Sequence, residues 1–293
     1  VETSGKMARK YQSDQGPPER FRVITCEGAF HGRTLAMIAA GGQEKHLAGF
    51  GPVVDGFDQV AFDNLNEMRA AVGPETAALL IEPVQGEGGI RALSKDYLKG
   101  ARALADEFGV LLILDEVQTG IGRTGKLFAH EWAGIEPDIL ASAKGLGGGF
   151  PIGACLAKEG PASALTAGSH GSTFGGNPLA MAVGNAVLDV VLKTGFLDKA
   201  NAIAKRLWQR LEEITVNHPT VFEGISGSGL MVGLKCVPTN MDVVAKLTEG
   251  GLLTVAAGEN VVRLVPPLII DDDHVDEALA IMEKASVELA GEG

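Results

Sequence analysis

Four short, largely apolar runs constrain this chain more than any other feature. They cover residues 21–26, 77–81, 110–114 and 139–143. Each stops abruptly, at Glu27-Gly28, Glu82-Pro83, Asp115-Glu116 and Lys144-Gly145 respectively. A run of this length that is apolar on successive positions suits a parallel strand covered on both faces. Helical patterns separate the runs. One spans 64–72 and another 95–108, where Tyr97, Leu98, Ala101, Leu104 and Ala105 share one side. Strands alternating with helices predict an α/β fold built on a mainly parallel sheet. Such open sheets bind ligands at the carboxyl ends of their strands, and Glu27, Glu82, Asp115 and Lys144 stand there.

The character of the chain changes later. Asn177-Pro178 reads as a helix cap followed by a favoured first helical residue. The helix then runs through 180–193 and stops near Gly195. A second helix, 197–216, carries Leu207, Leu211 and Ile214 on one face. Beyond Pro219, segments 221–225, 230–234 and 261–265 read as strands and 274–289 as a closing helix. Two domains are expected: a large α/β domain over 1–195 and a smaller α+β domain over 196–293. The opening residues place Val1, Ala8 and Tyr11 near helical spacing, as in the middle of a helix. Gly5 costs that helix about 1 kcal/mol against Ala. The chain therefore reads as a fragment whose beginning lies elsewhere.

Composition removes several classes of function. In 293 residues, 25 Lys+Arg face 37 Asp+Glu, a formal charge of −12, which does not suit a nucleic-acid scaffold. A hydrophobic share of 45% is too high for disorder. No apolar run approaches the ~20 residues of a membrane span. Cys26, Cys155 and Cys236 form no CxxC, which argues against a disulfide framework or structural zinc and fits a reducing cytoplasm. The six histidines make no ligand pattern, so no metal is expected and surface or hydrogen-bonded roles suit nearly all of them. Residues 120–127 nearly match two nucleotide motifs. Leu127 stands where the phosphate loop needs Ser or Thr, however, and the acidic strand comes before the loop instead of after it. A glycine-rich turn is the better reading.

The strongest pair is Asp115 with Lys144, each at the end of an apolar strand. A charge there is costly unless paired, and Lys144 taken alone fits a structural ion pair equally well. Its surroundings, Ser142-Ala143-Lys144-Gly145-Leu146-Gly147-Gly148-Gly149, leave little that is bulky around it. An amine that condenses with a carbonyl needs such clearance. A carboxylate facing a pyridine nitrogen keeps that nitrogen protonated and makes the ring an electron sink. A Lys amine with an Asp partner is the protein signature of pyridoxal 5'-phosphate.

With these residues in view, the chain resembles the class III, ornithine-type, pyridoxal-phosphate aminotransferases of fold type I over essentially its whole length. The motifs are Gly28-Ala29-Phe30-His31-Gly32-Arg33-Thr34, Glu82-Pro83-Val84-Gln85-Gly86-Glu87-Gly88-Gly89, the stretch from Leu114 to Gly125, Lys144-Gly145-Leu146-Gly147-Gly148-Gly149, and Gly171-Ser172-Thr173-Phe174-Gly175-Gly176-Asn177-Pro178. The resemblance implies that Lys144 condenses with the cofactor aldehyde and shuttles a proton between the substrate Cα and the cofactor C4′. It implies that Asp115 pairs with the ring nitrogen, that Val117 and Phe30 pack on opposite ring faces, and that Gln118 binds the ring hydroxyl. Thr173, from a partner subunit of a homodimer, would bind the phosphate, with Ser172 beside it near the substrate. Arg33 would clamp the substrate α-carboxylate and Arg263 a carboxylate of 2-oxoglutarate. Glu87 would cover Arg263 while the amino donor is bound and swing away for the keto acid. Two guanidinium forks suit dicarboxylate traffic.

The implied reaction is ping-pong transamination in the cytoplasm, serving arginine biosynthesis, without nucleic acid or membrane. The α-amino group of N-acetylornithine, or of a close relative, passes to 2-oxoglutarate. Ornithine, succinyl-diaminopimelate and 4-aminobutyrate are alternative donors. The family's phosphate-cradling turn lies upstream of residue 1, so this chain is expected to hold cofactor weakly or not at all. A catalytically impaired dimerisation module is the alternative from another class.

Overall fold

The four apolar runs become the centre of one sheet. The computed structural model describes residues 1–291. Strands β1 (Arg22–Cys26), β2 (Phe57–Val60), β3 (Thr76–Ile81), β6 (Leu111–Asp115), β7 (Ile139–Ser142) and β8 (Ala154–Ala157) lie in the order β2-β1-β3-β6-β7-β8. All neighbours are parallel except β7 and β8. The inner strands are buried at almost every position, as strands covered on both faces must be. The two edge strands, β2 and β8, are not among the expected runs. An edge needs less apolar cover, and β2 (Phe-Asp-Gln-Val) is correspondingly mixed.

Helix Lys95–Phe108 buries the same five residues that its periodicity singles out. The Ser94 hydroxyl accepts from Tyr97 N at 3.1 Å to start it, and Gly109 ends it in the left-handed conformation at φ +62°. The opening residues do form a helix, Glu2–Gln15, which buries Met7 and Ala8.

Contacts divide the chain into two units. The first holds Val1–Pro83, Leu93–Ile121 and Phe128–Val190. The second holds Val84–Ala92, Gly122–Leu127 and the chain from Val191 onward. In the second unit, strands β9 (Phe222–Ser228), β10 (Met231–Cys236), β11 (Val255–Ala257) and β12 (Val261–Leu264) form an antiparallel sheet in the order β11-β12-β10-β9. Helices Phe196–Asn217, Asn240–Glu249 and Asp272–Gly291 supply the rest of its core. Two segments numbered before residue 195 join this unit for visible reasons. The hairpin of β4 (Val84–Gln85) and β5 (Arg91–Ala92) carries Val84 and Ile90, which bury against Met231 and Val261. Arg123 lies in the glycine-rich turn, and its Nη1 donates to the carbonyls of Leu230 at 3.0 Å and Pro266 at 2.5 Å.

That turn also explains its own glycines. A Cβ at Gly122 would lie 2.8 Å from Leu197, and one at Gly125 would lie 2.0 Å from the Asn201 side chain. Both glycines have positive φ, and Asn201 Nδ2 donates to Gly125 O at 2.9 Å. The turn is glycine-rich because helix Phe196–Asn217 packs against it. Among the described residues, no single helix is long and apolar enough to cross a membrane.

Candidate active site

Strands β6 and β7 are parallel neighbours, with Asp115 opposite Ala141. Lys144 follows three residues later, so Asp115 and Lys144 leave adjacent inner strands at the same carboxyl end of the sheet. Lys144 opens a short 3-10 turn at φ +43°, a backbone region that costs a non-glycine residue about 1–3 kcal/mol. The surrounding structure enforces that strain. The glycines beyond Lys144 also serve packing and turning. A Cβ at Gly147 would meet Ile152 at 2.8 Å, and one at Gly148, where φ is +53°, would meet Val187 at 3.0 Å.

Asp115 is 4% exposed, and its partners are uncharged or conditionally charged. Oδ1 accepts from Val117 N at 3.1 Å, and Oδ2 lies 2.9 Å from His31 Nδ1. The neighbouring Glu116 is fully buried and wholly used by the fold. It accepts from the Thr119 hydroxyl at 2.6 Å, Ala129 N at 2.8 Å and His130 N at 2.9 Å, and it lies 2.9 Å from His130 Nδ1. Adjacent residues at a strand end face opposite sides, which separates a structural carboxylate from one that remains open to a ligand.

The loop after β1 carries Phe30, His31 and Arg33. Glu82 closes β3, and its Oε2 accepts from Phe30 N at 3.0 Å, pinning the loop across the sheet edge. The Phe30 ring meets His46 edge-on at 5.6 Å between centroids, and the exposed Arg33 guanidinium lies 5.2 Å from the Phe30 centroid. Val117 and Gln118 are half-buried beyond β6. Ser172 and Thr173 stand in the exposed stretch 171–176, and neither bonds Asp115. Asn177 caps the following helix, its Oδ1 accepting from Ala180 N at 2.8 Å.

In the second unit, Arg263 Nη1 donates to Glu87 Oε1 at 2.7 Å. Glu87 follows β4 and Arg263 lies on β12. Gly258 N donates to Glu87 O at 2.9 Å, which ties the hairpin tip to the strand carrying the arginine.

The donor set fits a pyridine-ring cofactor. A buried carboxylate that accepts from a backbone N–H and lies against an imidazole suits a cation such as a protonated ring nitrogen. An amine stands at the next strand end, and among the described residues no cluster of His, Cys, Asp and Glu could hold a metal.

The Aminotransferase class-III family matches residues 1–286. The chain belongs to the class III aminotransferases. The acetylornithine aminotransferase of Brucella melitensis biotype 1 is 59% identical over 285 residues, covering 97% of this chain and 71% of that protein. The ornithine aminotransferase of Toxoplasma gondii ME49 superposes with a TM-score of 0.95 at 34% identity, over 100% of this chain and 71% of the other. An amine transaminase from an uncultivated Pseudomonas species, solved in a PLP-bound form, superposes at 0.90 with 29% identity, over 98% of this chain and 74% of the other. These likenesses agree with the α/β architecture and the class III motifs. Two residues beside these candidates carry no assigned role in the sequence. His31 carries no metal-ligand spacing, and its place inside the Phe30–Arg33 motif is the one local signal. Glu82 is noted at a strand end without a task.

Proposed function

We propose that this chain is a pyridoxal-phosphate transaminase that moves the amino group of N-acetylornithine to 2-oxoglutarate in arginine biosynthesis. Asp115 and Lys144 at neighbouring strand ends carry the cofactor reading, and the 59% identity to an acetylornithine aminotransferase carries the donor. The first unit is assigned as the cofactor domain and the second as the smaller domain of the enzyme.

When bound, the cofactor supplies an electron sink that lets a C–H bond next to nitrogen ionise. Lys144 Nζ would take that proton and deliver it to the cofactor C4′, on the far side of the transferred nitrogen. Asp115 would pair with the ring nitrogen, Phe30 and Val117 would cover the ring faces, and Gln118 would bind the ring hydroxyl. Thr173 of a second copy binds the phosphate, with Ser172 close to the substrate. Exposure of Thr173 and of the apolar Phe174, Leu179, Met181 and Val190 supports a homodimer that covers this face.

The transferred nitrogen is the terminal one. With the acetyl group on the α-nitrogen, that atom is an amide, so the expectation of α-amino transfer is corrected by the substrate's own chemistry. The reacting carbon of the donor then carries no carboxylate, and Arg263 must be neutralised by Glu87. In 2-oxoglutarate the reacting carbon does carry one, and Arg263 binds it. Arg33 takes the carboxylate at the far end of either substrate. Small, charged substrates of this kind fit a cytoplasmic enzyme.

Kinetics with N-acetylornithine, ornithine, succinyl-diaminopimelate and 4-aminobutyrate test the donor. The highest kcat/KM is expected with N-acetylornithine, and a higher value with another donor would replace it. The absorbance that distinguishes Lys144-linked cofactor from the free aldehyde is expected to vanish in Lys144→Ala. Its persistence there would refute the role of Lys144.

A further inference from the structure

We propose that His31 is a positioning residue for the cofactor: it donates its Nδ1 hydrogen to Asp115 and fixes that carboxylate without cancelling its charge. The inference rests on the pyridoxal-phosphate reading above.

The His31 side chain is 0% exposed and Asp115 is 4% exposed, with 2.9 Å between Nδ1 and Oδ2. The two are 84 residues apart. They meet because the loop after β1 crosses the end of β3, the strand between β1 and β6, where Glu82 holds Phe30 N. His31 Nε2 is buried and has no hydrogen-bond partner among the described residues. An imidazolium here would bury an N–H with no acceptor, which is the costly way to leave a polar group. The neutral tautomer with hydrogen on Nε2 would do the same and would turn the Nδ1 lone pair against the carboxylate. The remaining form carries hydrogen on Nδ1 and a lone pair on Nε2.

That form matters for the ligand. Oδ1 accepts from Val117 N and Oδ2 from a neutral ring, so both donors hold the carboxylate in place while its full negative charge survives. A lysine or arginine at position 31 would orient Asp115 equally well but would neutralise it. A buried anion held by neutral donors gains most when a cation arrives, and a protonated pyridine nitrogen is such a cation.

The test compares two ligands, pyridoxal phosphate and its 1-deaza analogue with carbon in place of the ring nitrogen. Affinities are measured by absorbance and fluorescence titration in the full chain and in its His31→Phe, His31→Asn and His31→Gln variants. Asn can place an N–H close to the position of Nδ1, whereas Gln and Phe cannot. Loss of a hydrogen bond to a charged group corresponds to about a tenfold loss of affinity or more. His31→Phe and His31→Gln are therefore expected to weaken pyridoxal phosphate by at least about tenfold and the deaza analogue by less than about threefold, with His31→Asn recovering most of the difference. Equal weakening of both ligands would show a merely structural role and overturn the proposal, as would unchanged affinity for pyridoxal phosphate. If His31→Phe does not fold, the Asn and Gln contrast decides. If this chain shows no measurable affinity for pyridoxal phosphate, the same variants are compared in a longer chain that includes the phosphate-cradling turn, and absence of affinity there overturns the cofactor reading and this inference with it.

Discussion

Arg263 donates to Glu87 across 2.7 Å, joining a strand of the second unit's sheet to the tip of a hairpin 176 residues earlier in the chain. Arg263 is 11% exposed at its side chain and Glu87 34%, so the carboxylate is the more accessible partner. The pair occupies the state proposed for the amino donor, with the guanidinium neutralised. Glu87→Gln removes the negative charge and leaves the fold of β12 intact. It is expected to slow the half-reaction with N-acetylornithine by about tenfold or more, while KM for 2-oxoglutarate stays level or falls. Single-turnover measurement of each half-reaction checks this. Equal loss in both directions would count against a charge-matching role.

Arg33 is exposed, with its guanidinium over the Phe30 ring. Lysine keeps the charge but loses the planar fork and the stacking. Arg33→Lys is expected to raise KM for both carboxylate-bearing substrates by about ten- to a hundredfold and to change kcat less. Steady-state kinetics with each substrate varied in turn measure the split. Unchanged KM values would remove Arg33 from the substrate site.

Glu116 predicts a stability effect distinct from any effect on catalysis. Its carboxylate satisfies Thr119, Ala129 N and His130, all inside the first unit. Glu116→Ala leaves these donors buried and unsatisfied and is expected to cost about 3–5 kcal/mol. Glu116→Gln retains one acceptor and costs less. Denaturant unfolding of both variants checks the order, and an Ala variant as stable as the parent would contradict the assigned role.

Cys236 gives a pH dependence with a defined sign. Burial lifts its thiol from 9.0 to about 11. In the unfolded chain the thiol loses its proton from about pH 9, so between pH 9 and 11 the folded state binds more protons. Stability from this group is therefore complete below pH 9 and is lost as pH rises towards 11. Burial also raises the Tyr97 hydroxyl, which acts in the same direction at higher pH. Unfolding free energies measured from pH 8 to 10.5 are expected to fall more steeply in the parent than in Cys236→Ala, by at most about 1.4 kcal/mol per pH unit. Superimposable slopes would refute the shift.

The sequence alone determined the parts whose signals are local. Apolar runs ending in polar residues give the inner strands and place Asp115 and Lys144 at their carboxyl ends. The 3.6-residue period gives helix Lys95–Phe108 and its buried face. Tertiary structure decided what depends on distant partners. The order β2-β1-β3-β6-β7-β8 brings His31 to Asp115 and Glu82 to Phe30. Packing against Ile152 and Val187 calls for glycine at 147 and 148, and contacts with Met231 and Val261 assign the hairpin at 84–92 to the second unit. The physical reason is one of range. Backbone geometry imposes periodicity over a few residues, whereas the partner of a buried charge is set by which strands lie side by side.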